Sequence, residues 1–153
     1  MRKFEVVKGY ENKGIILPTR STKYSAGYDI RAYIPNNGEV LIKPFESVVL
    51  KTGVKVAMEE DEVFQIYVRS SIGIKKHLIL SNSVAIIDAD FWGNETNDGE
   101  IHIALTNIGN ITQSIKNGER VCQGIFYKYL TTDDDNANGQ RIGGIGSTNE
   151  KSI

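Results

Sequence analysis

Alternation of apolar and polar residues with a period of two constrains this chain more than any other feature. It runs through Tyr28, Ile30, Ala32 and Ile34, and again through Phe64, Ile66 and Val68. A pleated strand is the regular backbone that sends every second side chain to one face. Further strands are predicted at residues 47–50, 54–57, 101–105 and 121–129, punctuated by turns such as Asn36-Asn37-Gly38 and Lys116-Asn117-Gly118. Residues 71–78 have the composition of one short helix, and no segment sustains a 3.6-residue period. Many short strands with turns between them predict an all-β fold, a jelly-roll-like barrel or sandwich. With 153 residues, 40% of them hydrophobic, the chain has apolar surface for one substantial core.

The charge balance is nearly even, 18 Lys and Arg against 19 Asp and Glu, for a net charge of −1. Such a chain has no global field to draw a nucleic-acid backbone or an anionic membrane, so phosphate binding has to be local. The single cysteine, Cys122, has no partner for an internal disulfide, and the basic start at Arg2 and Lys3 has no long apolar run behind it. The expectation is a cytoplasmic protein that neither spans a membrane nor binds nucleic acid directly. Residues 133–153 are rich in Asp, Asn, Gly and Ser. They have too few apolar side chains to anchor themselves, and are predicted to be a mobile arm attached to a β core of residues 1–132. Within the arm, Arg141 to Thr148 combines a cation, backbone freedom and two hydroxyls, which suits closure over phosphate oxygens.

Four further clusters carry candidate chemistry: Ala26-Gly27-Tyr28-Asp29-Ile30-Arg31-Ala32, Val68-Arg69-Ser70-Ser71-Ile72-Gly73, Asn82 to Gly93, and Gly118-Glu119-Arg120-Val121-Cys122-Gln123-Gly124. Each alone is weak. Asp29 reads as a solvent-facing strand acid, Asp88 as a turn aspartate, and Gln123 as an outward strand residue. Arg69 has a guanidinium suited equally to phosphate or to a carboxylate across a subunit boundary. Together with the Gly-Ser-Thr arm, however, they form an ordered set. Over about residues 17–148 that set resembles the five motifs of the trimeric dUTPase family, bacterial or phage type.

The resemblance implies a dUTP diphosphatase that releases dUMP and pyrophosphate, a homotrimer with each site built from several chains, and Mg²⁺ as cofactor. By the same resemblance Asp29 approaches the ion through water. Arg69, Ser70 and Ser71 hold the phosphate chain, while Asn82, Ala85 and Ile86 belong to a hairpin that reads uracil largely through main-chain groups. Phe91 lies beneath the deoxyribose. Asp88 takes the proton from, or orients, the attacking water, and Gln123 contacts the α-phosphate or that water. Arg141, Ile145, Gly146, Ser147 and Thr148 close over the nucleotide, with Arg141, Ser147 and Thr148 at the γ-phosphate end.

Several residues depart from the family pattern. Phe91 replaces a tyrosine, Ile145 the stacking phenylalanine of the arm, Ala85 a hairpin glycine and Asn149 a final glycine, while residues 94–98 lengthen the hairpin loop. Ala85 is compatible with that hairpin only at negative φ. Two histidines and one cysteine do not make a zinc site. His77 is expected to be exposed and His102 structural, although it lies close enough to the hairpin to lend main-chain contacts to the base. Asp133-Asp134-Asp135 is expected to be a solvated loop, and Trp92 an interface or pocket residue. Two rival functions are a dCTP deaminase, whose catalytic glutamate would fall at Ala104, and a nucleotide-gated protein acting through a regulatory partner. The first lacks its carboxylate; against the second, Asp88 and Gln123 argue for more than a silent pocket, and a regulatory role beside catalysis stays open.

Overall fold

A computed structural model describes residues 1–144, with eleven strands among them. In chain order these are β1 (Lys3–Val6), β2 (Tyr28–Arg31), β3 (Glu39–Ile42), β4 (Ser47–Lys51), β5 (Val54–Ala57), β6 (Glu62–Val68), β7 (Leu78–Leu80), β8 (Ala85–Asp88), β9 (His102–Asn107), β10 (Gln113–Lys116) and β11 (Arg120–Lys128). All seven strand pairings are antiparallel. A four-stranded sheet in the order β2-β11-β6-β8 and a three-stranded sheet β4-β9-β7 are accompanied by the ribbons β1-β5 and β10-β3. The architecture is all-β and jelly-roll-like.

The two larger sheets contribute to one core. Ile30, Phe64, Ile66 and Cys122 come from the first, and Leu50, Leu78, Leu80, Ile103 and Leu105 from the second. Phe64 sits beside Phe126 and Phe4, with ring centroids 4.8 Å and 5.5 Å away. Burial raises the Cys122 thiol to about 12, so it is an inert core group rather than a nucleophile.

The predicted short helix is a single wide turn, Ser71–Lys75, and the chain is extended again by Leu78. Leu78 and Leu80 are drawn into the core at 0% and 2% exposure, with exposed Ile79 between them, and that alternation requires a strand. Ala85 pairs with Ile66 in β8, and the left-handed position of this hairpin is Ser83, at φ 63°, so the alanine is unstrained. His77 and the Asp133 to Asp135 run are exposed.

One polar side chain ties the second sheet to its surroundings. Asn107 is fully buried; its amide donates to the carbonyls of Ile42 (2.9 Å) and Ile111 (2.8 Å), and its oxygen accepts from the Gly109 N–H. Asn107→Leu fills the space but orphans these groups, each at a cost of roughly 1 to 3 kcal/mol. Urea unfolding is expected to show a loss of about 3 kcal/mol in total.

Candidate active site

A cavity of about 430 Å³ opens between the β8 hairpin and the outer face of β9. Asn82, Ala85 and Ile86 line one wall, and a short 3-10 turn, Ala89–Phe91, swings the Phe91 ring onto its edge. The alternation of β9 sends Ile103 and Leu105 into the core, so His102 and Ala104 face the opposite way, into the cavity. Ala104 presents only a methyl group where a deaminase would need a carboxylate.

His102 does more than its main chain predicts. Its Nε2 lies 3.0 Å from a carboxylate oxygen of Glu100, whose other oxygen accepts the Gly53 N–H, also at 3.0 Å. Glu100 is buried at 4% exposure. Burial pushes its acidity the other way, but the bonds from His102 and Gly53 outweigh burial and hold its pKa below the ordinary value. Burial, then the Glu100 charge, raises the Tyr10 phenol to about 12. Nothing in the period-two pattern distinguished Glu100 from a surface acid; its role depends on the turn at Gly53 being folded against it.

Asp88 is half-exposed at the cavity mouth. Its carboxylate accepts from Arg141 Nη2 at 2.5 Å, and Arg141 Nε donates to Asp90 at 2.6 Å. Arg141 is thus brought to the hairpin carboxylates rather than to the serines of the second cluster. Ile145, Gly146, Ser147 and Thr148 lie outside the described residues.

A second polar cluster occupies the opposite edge of the four-stranded sheet. Asp29 is largely buried, with Arg69 Nε 3.0 Å from one oxygen and Arg120 Nη1 2.9 Å from the other, which also accepts from the Ser21 hydroxyl at 2.8 Å. Gln123 pairs in register with Asp29 on one side and Tyr67 on the other. Its side chain lies over Gly27, where an added Cβ would come within 2.4 Å of the Gln123 amide oxygen. A larger residue at position 27 would therefore displace the Gln123 side chain from where it lies. Ser70 and Ser71 are exposed at the start of the helical turn, and the Ser70 hydroxyl is not spent on capping it.

The strand register keeps the two clusters apart. Val63 of β6 stands opposite Asp88, whereas Tyr67 stands opposite Gln123. Four residues along a strand span roughly 13 Å, and two strand spacings add about 10 Å across the sheet. Within one chain Asp29, Arg69 and Gln123 come together, as do Asn82, Ala85, Ile86, Asp88, Phe91 and Arg141, but the two sets do not meet.

The dUTPase family profile matches residues 13–148. The chain belongs to the dUTPase family. The deoxyuridine 5'-triphosphate nucleotidohydrolase of Lactococcus lactis is 43% identical over 150 residues, covering 97% of each chain. That of Finegoldia magna is 38% identical over 113 residues, 74% of this chain and 73% of its own. Among solved structures, the dUTPase of Streptococcus mutans superposes with a TM-score of 0.76 at 36% identity, over 85% of this chain and 98% of that one. A variant dUTPase of phage phi11 of S. aureus, for which coordination of a structural Mg(II) ion is described, shares the fold at a TM-score of 0.70 and 21% identity, over 91% of this chain and 97% of its own.

Glu100 makes a pH prediction for this dUTPase-family fold. Its folded pKa lies below its ordinary value of 4.5, so its contribution to stability is full above that value and is lost as pH falls through the folded one. Denaturant melts between pH 7 and pH 3 are expected to show a shallower acid-induced loss for Glu100→Gln than for the parent protein; parallel curves would contradict the assignment.

Proposed function

We propose that the chain hydrolyses dUTP to dUMP and pyrophosphate, so limiting uracil in DNA and supplying dUMP for dTMP synthesis. The observation that carries this reading is the cavity beneath the β8 hairpin, which has Asp88 at its mouth and an apolar wall of Ala85, Ile86 and Phe91. A flat base enters against the hairpin main chain and the Asn82 amide, with Phe91 beneath the sugar. A pocket that pairs its polar groups with one base rejects a wrongly patterned one by roughly 10⁴ or more. Asp88 accepts the proton of a water that attacks the α-phosphorus, and pyrophosphate departs as the P–O bond breaks. Gln123, Arg69, Ser70 and Ser71 orient the phosphates, and the arm residues Arg141, Gly146, Ser147 and Thr148 cover them, with Ile145 over the base. Residues 133–153 act as this arm on a core of residues 1–132, and the protein works in the cytoplasm.

The donor set fits Mg²⁺ brought in on the triphosphate. Among the described residues no group of three acids converges on one point, and Asp29 is already engaged by two guanidiniums. An ion that keeps several waters and binds through phosphates and few carboxylates suits that arrangement, with Asp29 reaching it only through water. When bound, Mg²⁺ supplies charge neutralisation at the phosphates.

The separation of Asp88 from Gln123 supports a homotrimer in which the hairpin of one chain faces the Asp29 and Gln123 edge of another. Exposed apolar side chains away from the cavity, among them Leu41 and Ile74, offer surface for such contacts.

Pyrophosphate release from dUTP, dTTP, dCTP and UTP with magnesium tests the reaction. Release is expected from dUTP alone, and Asp88→Asn is expected to reduce it by at least about a hundred-fold. Tight dUTP binding without release would instead indicate a nucleotide-gated regulatory protein. Co-expression of Asp88→Asn chains with Gln123→Ala chains tests the shared site. Random mixing of two individually impaired chains is expected to restore about a quarter of the sites; no recovery would place each site within one chain.

A further inference from the structure

We infer that Glu100 is a positioning residue that holds the His102 proton on Nε2 and so makes Nδ1 an acceptor facing the base pocket. An acceptor there favours uracil, whose N3 carries hydrogen, over cytosine, whose N3 does not. An ionised carboxylate only accepts hydrogen bonds, so the 3.0 Å contact with Glu100 makes Nε2 the donor. In the neutral ring the other nitrogen then keeps its lone pair. Among the described residues no buried side-chain nitrogen or oxygen lacks a partner, and no group bonds Nδ1, so Nδ1 reaches open space. The imidazole lines the cavity with 24% of its side chain exposed. Ala104 on the same face of β9 and Val49 opposite it in β4 add only apolar groups, which leaves His102 as the polar group of this wall that is free to meet a base.

Glu100 itself is fixed on both sides. Its second oxygen accepts the Gly53 N–H at 3.0 Å. Gly53 has φ 68°, and a Cβ there would stand 2.6 Å from Ile15 and 2.8 Å from Tyr10, so the turn that aims this N–H needs glycine. The lengthened hairpin loop holds the main chain of Glu100. The Asn97 amide donates to the Glu100 carbonyl at 3.1 Å, and the Asn97 N–H donates to the side-chain oxygen of buried Asn94, also at 3.1 Å. Asp98 accepts from Lys55 Nζ at 2.8 Å and from the Lys8 N–H at 3.0 Å. This arrangement makes Glu100→Gln a switch of the ring. The Gly53 N–H still needs an acceptor, so the new amide turns its oxygen to Gly53 and its NH₂ to His102. Nε2 must then accept, and the single ring proton resides on Nδ1.

The base-selection part rests on the dUTPase reading, and the tautomer part does not. Nitrogen-15 NMR of the nucleotide-free protein at about pH 8, above the ordinary imidazole range, separates a protonated ring nitrogen from one with a lone pair. The only other histidine, His77, is exposed and serves as the reference ring. The His102 proton is expected on Nε2 in the parent and on Nδ1 in Glu100→Gln; a parent ring protonated at Nδ1, or the same tautomer in both proteins, would overturn the inference. Binding of the non-hydrolysable α,β-imido analogues of dUTP and dCTP with magnesium reads the selection. Preference for the uracil analogue is expected to fall by roughly ten-fold or more in Glu100→Gln, and by a similar factor in His102→Phe, which keeps a ring without an acceptor. Parent-like preference in both folded variants would refute base selection by His102. A parent that prefers the uracil analogue yet releases no pyrophosphate from dUTP would keep the inference and discard the hydrolytic reading.

Discussion

The central strand β6 is shared by both halves of the site, and its ladder fixes where each half can be. On one side it pairs with β8 through Val63 to Ile66, and on the other with β11 through Glu62 to Val68. Because a slip of one residue would turn every side chain to the wrong face, the burial of Phe64 and Ile66 at 0% exposure locks both pairings together. Asp88 is thereby committed to the Val63 end of the strand and Gln123 to the Tyr67 end. The separation of the hairpin cavity from the Asp29 and Gln123 cluster follows from core packing, and loop adjustment within one chain does not close it.

Both halves use the same electrostatic device. Asp29 holds Arg69 and Arg120, while Asp88 and Asp90 hold Arg141. A guanidinium left free on a long side chain samples many rotamers, and a carboxylate partner confines it. The partially buried Asp29 cluster confines both guanidiniums, so their remaining N–H groups are held in fixed directions. The half-exposed Asp88 pair is looser and nearer to water, where such pairs contribute little to stability. One cluster is therefore suited to be a fixed cradle, and the other to exchange partners.

Strand β9 was legible because it buries alternate side chains along all six residues and β6 because it does so from Phe64 to Tyr67, whereas β11 stood out as a long apolar-rich run after the turn at Gly118. The strands β1, β3, β7 and β10 have three or four residues each and, unlike β2, are not flanked by residues that prolong the alternation. The ordered motifs led to Asp29, Arg69, Asn82, Asp88 and Gln123, yet their spacing along the chain carries no register, so the division into two clusters could not be read. Glu100 was missed because its significance comes from Gly53, distant in sequence. Residues 94–98 read as a polar loop, and their composition is polar; what composition does not disclose is that Asn94, Asn97 and Asp98 spend those polar groups on the loop itself and on β5.

That internal saturation changes what the loop does to the site. A loop whose amides and carboxylate were solvated would sample many conformations, and any contact with the arm would have to offset that entropy as well as the arm's own. Here the Lys55 to Asp98 ion pair ties the loop to β5, and Lys55 also lies 4.6 Å from the Trp92 ring centroid. Trp92 is fastened at the base of the hairpin turn by the same lysine that fastens the loop tip. The turn bearing Phe91 and the loop bearing Thr96 are therefore both tied to β5, whose Val54 and Val56 are 2% and 1% exposed. The length added at residues 94–98 is thus anchored to the sheet beneath it, and the rim of the cavity takes its position from the core.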